Sequence, residues 1–186
     1  MGFLEDYTHT LNPYGGCAFG CSYCYVKGMP VAAFREEAWG AWVDVKQGAD
    51  ELLRRELARA AAKGPVRIFM SSSTDPYQPA EYREQVTRSL LEAMAEAPPD
   101  FLLVQTRSPL VTRDIDLLLR LGSRVRVSMT VETDLDTVRR VFPLPRRRSP
   151  RGSRRSPGSR KQASPSRLRS RRYCPAASAC RLCCGR

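Results

Sequence analysis

Apolar residues along the first 142 positions fall into blocks whose spacing switches between helix-like and strand-like. In 49–63 (ADELLRRELARAAAK), Leu52, Leu53, Leu57 and Ala60 share one face and Gly64-Pro65 ends the pattern, which predicts an amphipathic helix. A second helix is predicted over 81–97, with Val86, Leu90, Leu91 and Met94 as its inner stripe and Pro98-Pro99 as its stop. A third covers 114–121 and closes at Gly122, and a fourth begins over 135–142. Short apolar runs at 66–70 (VRIFM), 101–105 (FLLVQ) and 125–131 (VRVSMTV) predict strands between these helices, and 4–11 predicts one before them. Trp39 and Trp42 read as packing residues.

Strand and helix alternating in this way predict an α/β fold of parallel βα units, because a parallel neighbour needs a crossover long enough to hold a helix. Sites in such sheets form beyond the C-terminal ends of the strands. A cysteine-bearing stretch follows the first strand, SSSTDPYQP the second and TRSPLVTRD the third, so chemistry-bearing residues are expected at one rim.

Composition divides the chain in two. The net charge of +12 over 186 residues suggests a basic protein, yet 143–186 holds 14 of the 31 Lys and Arg and none of the 19 Asp and Glu. Residues 1–142 therefore carry 17 basic against 19 acidic residues, a net of −2, with the mixed make-up of a globular domain. No apolar run approaches the roughly 20 residues a membrane-spanning helix needs. The start MGFLEDYTHT is polar and acidic, unlike a secretory signal, so a cytoplasmic, reducing location is expected.

Cys17, Cys21 and Cys24 lie in NPYGGCAFGCSYCY with C-x3-C-x2-C spacing, and Tyr23 precedes the third thiol. Thiolates this close can converge on one metal centre, and a [4Fe–4S] cube held by three cysteines keeps one iron open to an outside ligand. Pro13, Gly15, Gly16 and Gly20 suit a loop wrapped tightly around an inorganic core. The alternatives are a structural zinc site and disulfides or unligated thiols. Zinc normally takes four Cys or His ligands in paired clusters; no second pair occurs in the first 142 residues, and His9 is the one histidine.

At these residues the chain resembles the radical S-adenosylmethionine (SAM) superfamily, whose loop reads CxxxCxΦC with Φ aromatic. The wider NPYxGCxxGCxYCY context, with Thr74-Asp75-Pro76-Tyr77-Gln78-Pro79 further on, looks like its spore photoproduct lyase-like branch. Phe19 departs from the histidine expected there. The resemblance implies a partial (β/α) barrel, of which residues 1–142 would cover about four of six βα units. It also implies a [4Fe–4S] cluster on Cys17, Cys21 and Cys24, and SAM bound at its open iron. Tyr23, Ser73, Thr74 and Asp75 would contribute to cofactor binding, the last three as acceptors for the SAM amino group. Ser128 and Thr130, on one face of their strand, would contact its ribose or carboxylate. Turn or capping roles for Ser73–Asp75, and plain backbone satisfaction for Ser128 and Thr130, are the structural alternatives. Arg107 and Arg113 fit anion recognition or a solvated or capping role.

The implied reaction is reductive cleavage of SAM to methionine and a 5′-deoxyadenosyl radical, which abstracts hydrogen from a substrate the sequence does not reveal. Nucleic acid is a substrate by analogy alone, and an electron donor such as a flavodoxin or ferredoxin is the expected partner.

Residues 143–186, rich in Arg, Ser, Pro and Cys, have no apolar period and read as a disordered basic tail. One reading is an arm that binds nucleic acid electrostatically, and another is a second metal site on Cys174, Cys180, Cys183 and Cys184. A third is translation out of frame. Joining the third base of each codon to the first two of the next, Lys161–Pro175 permits AGIPVQAAVAPVLP, which resembles the turn and strand of a fifth barrel unit. On that reading a frameshift near Phe142 or Pro143 replaced the last units and left the radical SAM domain truncated.

Overall fold

A computed structural model describes residues 5–131 and the backbone of Arg169–Arg171. The expected helix over 135–142 and all four tail cysteines lie outside the described residues, as does most of the basic tail.

The principal sheet has four strands, β1 (His9–Leu11), β4 (Arg67–Met70), β5 (Phe101–Thr106) and β6 (Val125–Met129), in that spatial order and all parallel. His9 pairs with Ile68, Ile68 with Leu102, and Leu102 with Val125. The crossovers hold the expected helices: α2 (Ala49–Ala61) before β4, α4 (Val86–Glu96) before β5 and α5 (Ile115–Leu121) before β6. The α/β class and the parallel sheet agree with the alternation in the sequence.

Ile68, Phe69 and Met70 on β4 and Leu102, Leu103 and Val104 on β5 are all buried, the mark of strands covered on both faces. Helices α2 and α4 cover one face. All four inner-stripe residues of α4 are buried, and from α2 Leu53 and Leu57 enter the same core. Across the surface of the pair, Arg54 reaches Asp50 on its own helix and Glu96 on α4, each at 2.9 Å. On the other face Tyr7 packs on Phe69, with ring centroids 5.5 Å apart.

Three features depart from the sequence-based expectation. The first strand is shorter than 4–11, because residues 5–8 turn before pairing begins at His9. The 81–97 helix is two: α3 (Glu81–Glu84) and α4 meet at Gln85, whose φ of 49° breaks the helical path. Between the cysteine stretch and α2 the chain also builds β2 (Tyr14–Gly15), α1 (Pro30–Ala33) and β3 (Asp44–Lys46). Strands β2 and β3 pair antiparallel, and β7 (Arg169–Arg171) adds in parallel to β3, within the tail expected to be disordered. No helix among the described residues is long and apolar enough to cross a membrane.

Candidate cluster and cofactor site

Because all four strands of the principal sheet are parallel, their C-terminal ends open on one rim, and the loops after β1, β4 and β5 meet there. They enclose a cavity of about 120 Å³ lined by Cys17, Cys21 and Cys24, by Ser71–Asp75 beyond β4, and by Thr106, Arg107 and Thr130. Three thiols separated by seven positions of irregular chain thus face one space.

What shapes the cysteine loop is hydrogen bonding from β4 and its following turn. Gln78, wholly buried, accepts from the Ala18 N–H at 2.8 Å and donates to the Gly16 carbonyl at 3.3 Å. The Thr74 hydroxyl donates to the same carbonyl at 2.6 Å. Gly16 itself has φ of 72°, and a Cβ there would lie 2.4 Å from the Trp42 ring and 2.7 Å from its carbonyl, so only glycine fits. Farther along, Gly20 and Gly40 abut so closely that a Cβ on Gly40 would stand 2.7 Å from the Gly20 Cα. Asn12, just after β1, joins the rim by donating to Ser72 Oγ and accepting from the Ser73 N–H.

Of the residues expected to contact SAM, Ser73, Thr74, Asp75 and Thr130 line the cavity, while Tyr23 and Ser128 are not among its lining. Thr130 lies just beyond β6, at the rim, whereas Ser128 is two residues back, roughly 7 Å toward the middle of the strand. Tyr23 is half exposed, its hydroxyl accepting from Arg107 at 2.9 Å. The Asp75 carboxylate is buried and accepts from the Tyr77 N–H, the Thr106 hydroxyl and the Arg107 N–H at 2.7–2.9 Å, linking the ends of β4 and β5. Burial raises its pKa above the usual carboxylate range, against the pull of those donors.

Of the arginines the sequence left open, Arg113 belongs to a buried network with Glu81 and Asp114 away from the cavity. Arg107 belongs to the site, its Nη1 donating to Cys21 Sγ at 3.0 Å as well as to Tyr23. Trp39 packs edge-on against Trp42, ring centroids 6.0 Å apart, and also lines the cavity. Gln78 stands in the TDPYQP stretch and Arg107 was a candidate for anion recognition, but nothing in the sequence tied either to the cysteine loop, and Trp39 carried no signal at all.

The donor set suits an iron–sulfur cube. None of the three thiols is in a disulfide among the described residues. Burial pushes the Cys17 thiol up to about 11, while backbone N–H groups of Phe19 and Asp75 donate to its sulfur and pull the other way. Such N–H···S contacts are what a thiolate ligand needs once a cation has displaced its proton. Among the described residues no group of three or more His, Cys, Asp or Glu is placed to hold a metal ion. In a cube each cysteine binds a different iron, so its thiolates need not crowd around a single centre. His9, the imidazole a zinc site would require, lies on β1 with its ring hydrogen-bonded to Thr8 and its pKa lowered by burial, and it does not line the cavity.

A parallel α/β sheet with three thiols gathered beyond its strand ends defines the class. The chain belongs to the radical SAM superfamily, which it matches over residues 11–151. Members of that superfamily generally use a [4Fe–4S] cluster and SAM. Curated relatives include an uncharacterized protein of Methanocaldococcus jannaschii, 32% identical over 123 residues, covering 66% of this chain and 44% of the relative. Others are an uncharacterized protein of Acidianus two-tailed virus, 32% identical with 63% and 40% coverage, and one of Mycobacterium tuberculosis, 30% identical with 67% and 37%. The chain thus spans less than half the length of these relatives. No solved structure matches it.

Proposed function

We propose that this chain is a radical SAM iron–sulfur protein of the spore photoproduct lyase-like branch, built on a partial (β/α) barrel. The observation that carries this reading is the convergence of Cys17, Cys21 and Cys24 on one cavity with Ser73, Thr74, Asp75 and Thr130. When bound, the cluster and SAM supply one-electron cleavage of a sulfonium carbon–sulfur bond, yielding methionine and a 5′-deoxyadenosyl radical. The protein's share is placement. The three thiols would hold the irons, Gln78 and Thr74 set the path of their loop, and the hydroxyls of Ser73 and Thr130 offer acceptors to a polar ligand. Asp75 holds the β4 and β5 rims together and keeps the remaining acceptor capacity of its carboxylate for an ammonium group. A frameshift near residue 143 accounts for the abrupt loss of acidic residues.

The test is anaerobic reconstitution with ferrous iron and sulfide. About four irons and four sulfides per chain are expected, with a brown chromophore, and Cys17→Ala, Cys21→Ala and Cys24→Ala are each expected to abolish it. A colourless wild-type chain without bound iron would sink the proposal. Release of methionine and 5′-deoxyadenosine from SAM under reductant is expected to be slow, since later barrel units would complete the cofactor wall. Resequencing the gene across codons 140–150 tests the frameshift, which an intact upstream frame with no alternative downstream homology removes.

A further inference from the structure

The Arg107 side chain has a place in the site that the functional reading does not use. It follows β5, and its own N–H donates to Asp75 Oδ2 at 2.9 Å, so the backbone position is set by the β4–β5 latch. From there the guanidinium crosses to the cysteine loop. Nη1 stands 3.0 Å from Cys21 Sγ and 2.9 Å from the Tyr23 hydroxyl, and the guanidinium carbon lies 5.9 Å from the Tyr23 ring centroid, at the outer edge of cation–π range. Cys21 is buried, so the contact is shielded from water on the sulfur side. A guanidinium whose Nη1 is held between the Cys21 sulfur and the Tyr23 hydroxyl is a fixed charge rather than a waving one.

We infer that Arg107 is a positioning residue for the cluster, holding the Cys21 sulfur by a charge-assisted N–H···S bond and raising the reduction potential of the iron centre. The inference rests on Cys21 being a cluster ligand. Reduction adds one electron and one unit of negative charge. A cation a hydrogen bond away from a ligand sulfur stabilises that charge more than it stabilises the oxidised state, and the N–H draws electron density from the sulfur in the same direction. Arg107 exchanges neither electron nor proton. Its effect is therefore separable from SAM, and it is expected in the reconstituted chain with no SAM present.

The experiment is an anaerobic redox titration, without SAM, of the reconstituted full chain and of Arg107→Gln and Arg107→Lys, after iron and sulfide have been assayed in each. Arg107→Gln is expected to lower the midpoint so that, at a fixed potential, the reduced-to-oxidised ratio falls at least tenfold, about 59 mV for one electron. Arg107→Lys keeps the charge but not the fork and is expected to fall between glutamine and wild type. Equal midpoints in all three loaded proteins overturn the inference and leave the functional reading intact. Wild type that takes up no iron overturns the functional reading instead. Should the glutamine variant not load, the lysine variant decides, and a midpoint equal to wild type again overturns the inference.

Discussion

Single residues decide whether the cysteine loop can take its shape. Gln78 is the clearest case, because its amide meets both an N–H and a carbonyl of the loop while fully buried. Gln78→Leu strands the Ala18 N–H without its partner and is expected to cost about 1–3 kcal/mol. Cluster uptake should fall with it, as read by urea denaturation and iron content on the same preparations. Gly16→Ala should be harsher. It imposes an unfavourable φ and drives a methyl group into the Trp42 ring and carbonyl, and the carbonyl is backbone that cannot step aside. A loss of at least about 2 kcal/mol is expected, with iron uptake abolished even where the fold survives thermal melting. Both residues stand in stretches the sequence reading did mark, as a tight glycine loop and as part of TDPYQP. Only Gly16 had a physical reason attached. A glutamine in a loop is ordinarily a solvated polar residue, and nothing in its neighbours announces that it will be buried against another loop some 60 positions away.

Elements join through a buried polar network that the hydrophobic pattern concealed. Glu81, at the start of α3, has no exposed surface, yet it accepts from the Tyr14 hydroxyl on β2 and from the Thr87 and Arg88 N–H groups that open α4. Arg113 completes the pair at 2.6 Å. Burial first, and then the charge of Glu81, hold the Tyr14 phenol above its usual pKa range, so it stays a donor. The carboxylate thereby caps α4 after the break at Gln85, giving the Thr87 and Arg88 N–H groups side-chain acceptors where one predicted helix became two. Glu81→Leu leaves Arg113 with Asp114 as its remaining buried carboxylate, the Tyr14 hydroxyl without its acceptor and α4 without its cap. A destabilisation of about 3–5 kcal/mol is expected in denaturant unfolding. The inner stripe of α4 and the strands at 66–70 and 101–105 were legible because burial follows periodicity. The break was not, because Glu81 and Gln85 look like surface positions in any helical projection.

Among the described residues, the sheet is covered at its centre and β6 is an outer strand. Among the described residues β6 pairs only with β5, and its Val127, Met129 and Val131 are 38%, 49% and 81% exposed. Leu119 on α5 adds a side chain 75% exposed. Apolar surface beside a parallel strand edge favours association with another copy. The chain is expected to sediment as concentration-dependent aggregates, and the double substitution Leu119→Lys with Val131→Lys to shift it toward monomer. Unchanged sedimentation would show that this edge does not drive association.

What the sequence alone determined is the material of the site and the class of the fold: three thiols in a family-specific spacing, and an alternation of periods that parallel βα units satisfy. Both are local properties, readable because spacing along the chain dictates them. Tertiary structure decided which polar groups share the cavity, admitting Thr130 but not Ser128, spending Asp75 on the latch between β4 and β5, and bringing Arg107 onto Cys21 across 86 positions. Those choices depend on where strands end relative to one another, and that is set by register and packing between segments distant in the chain.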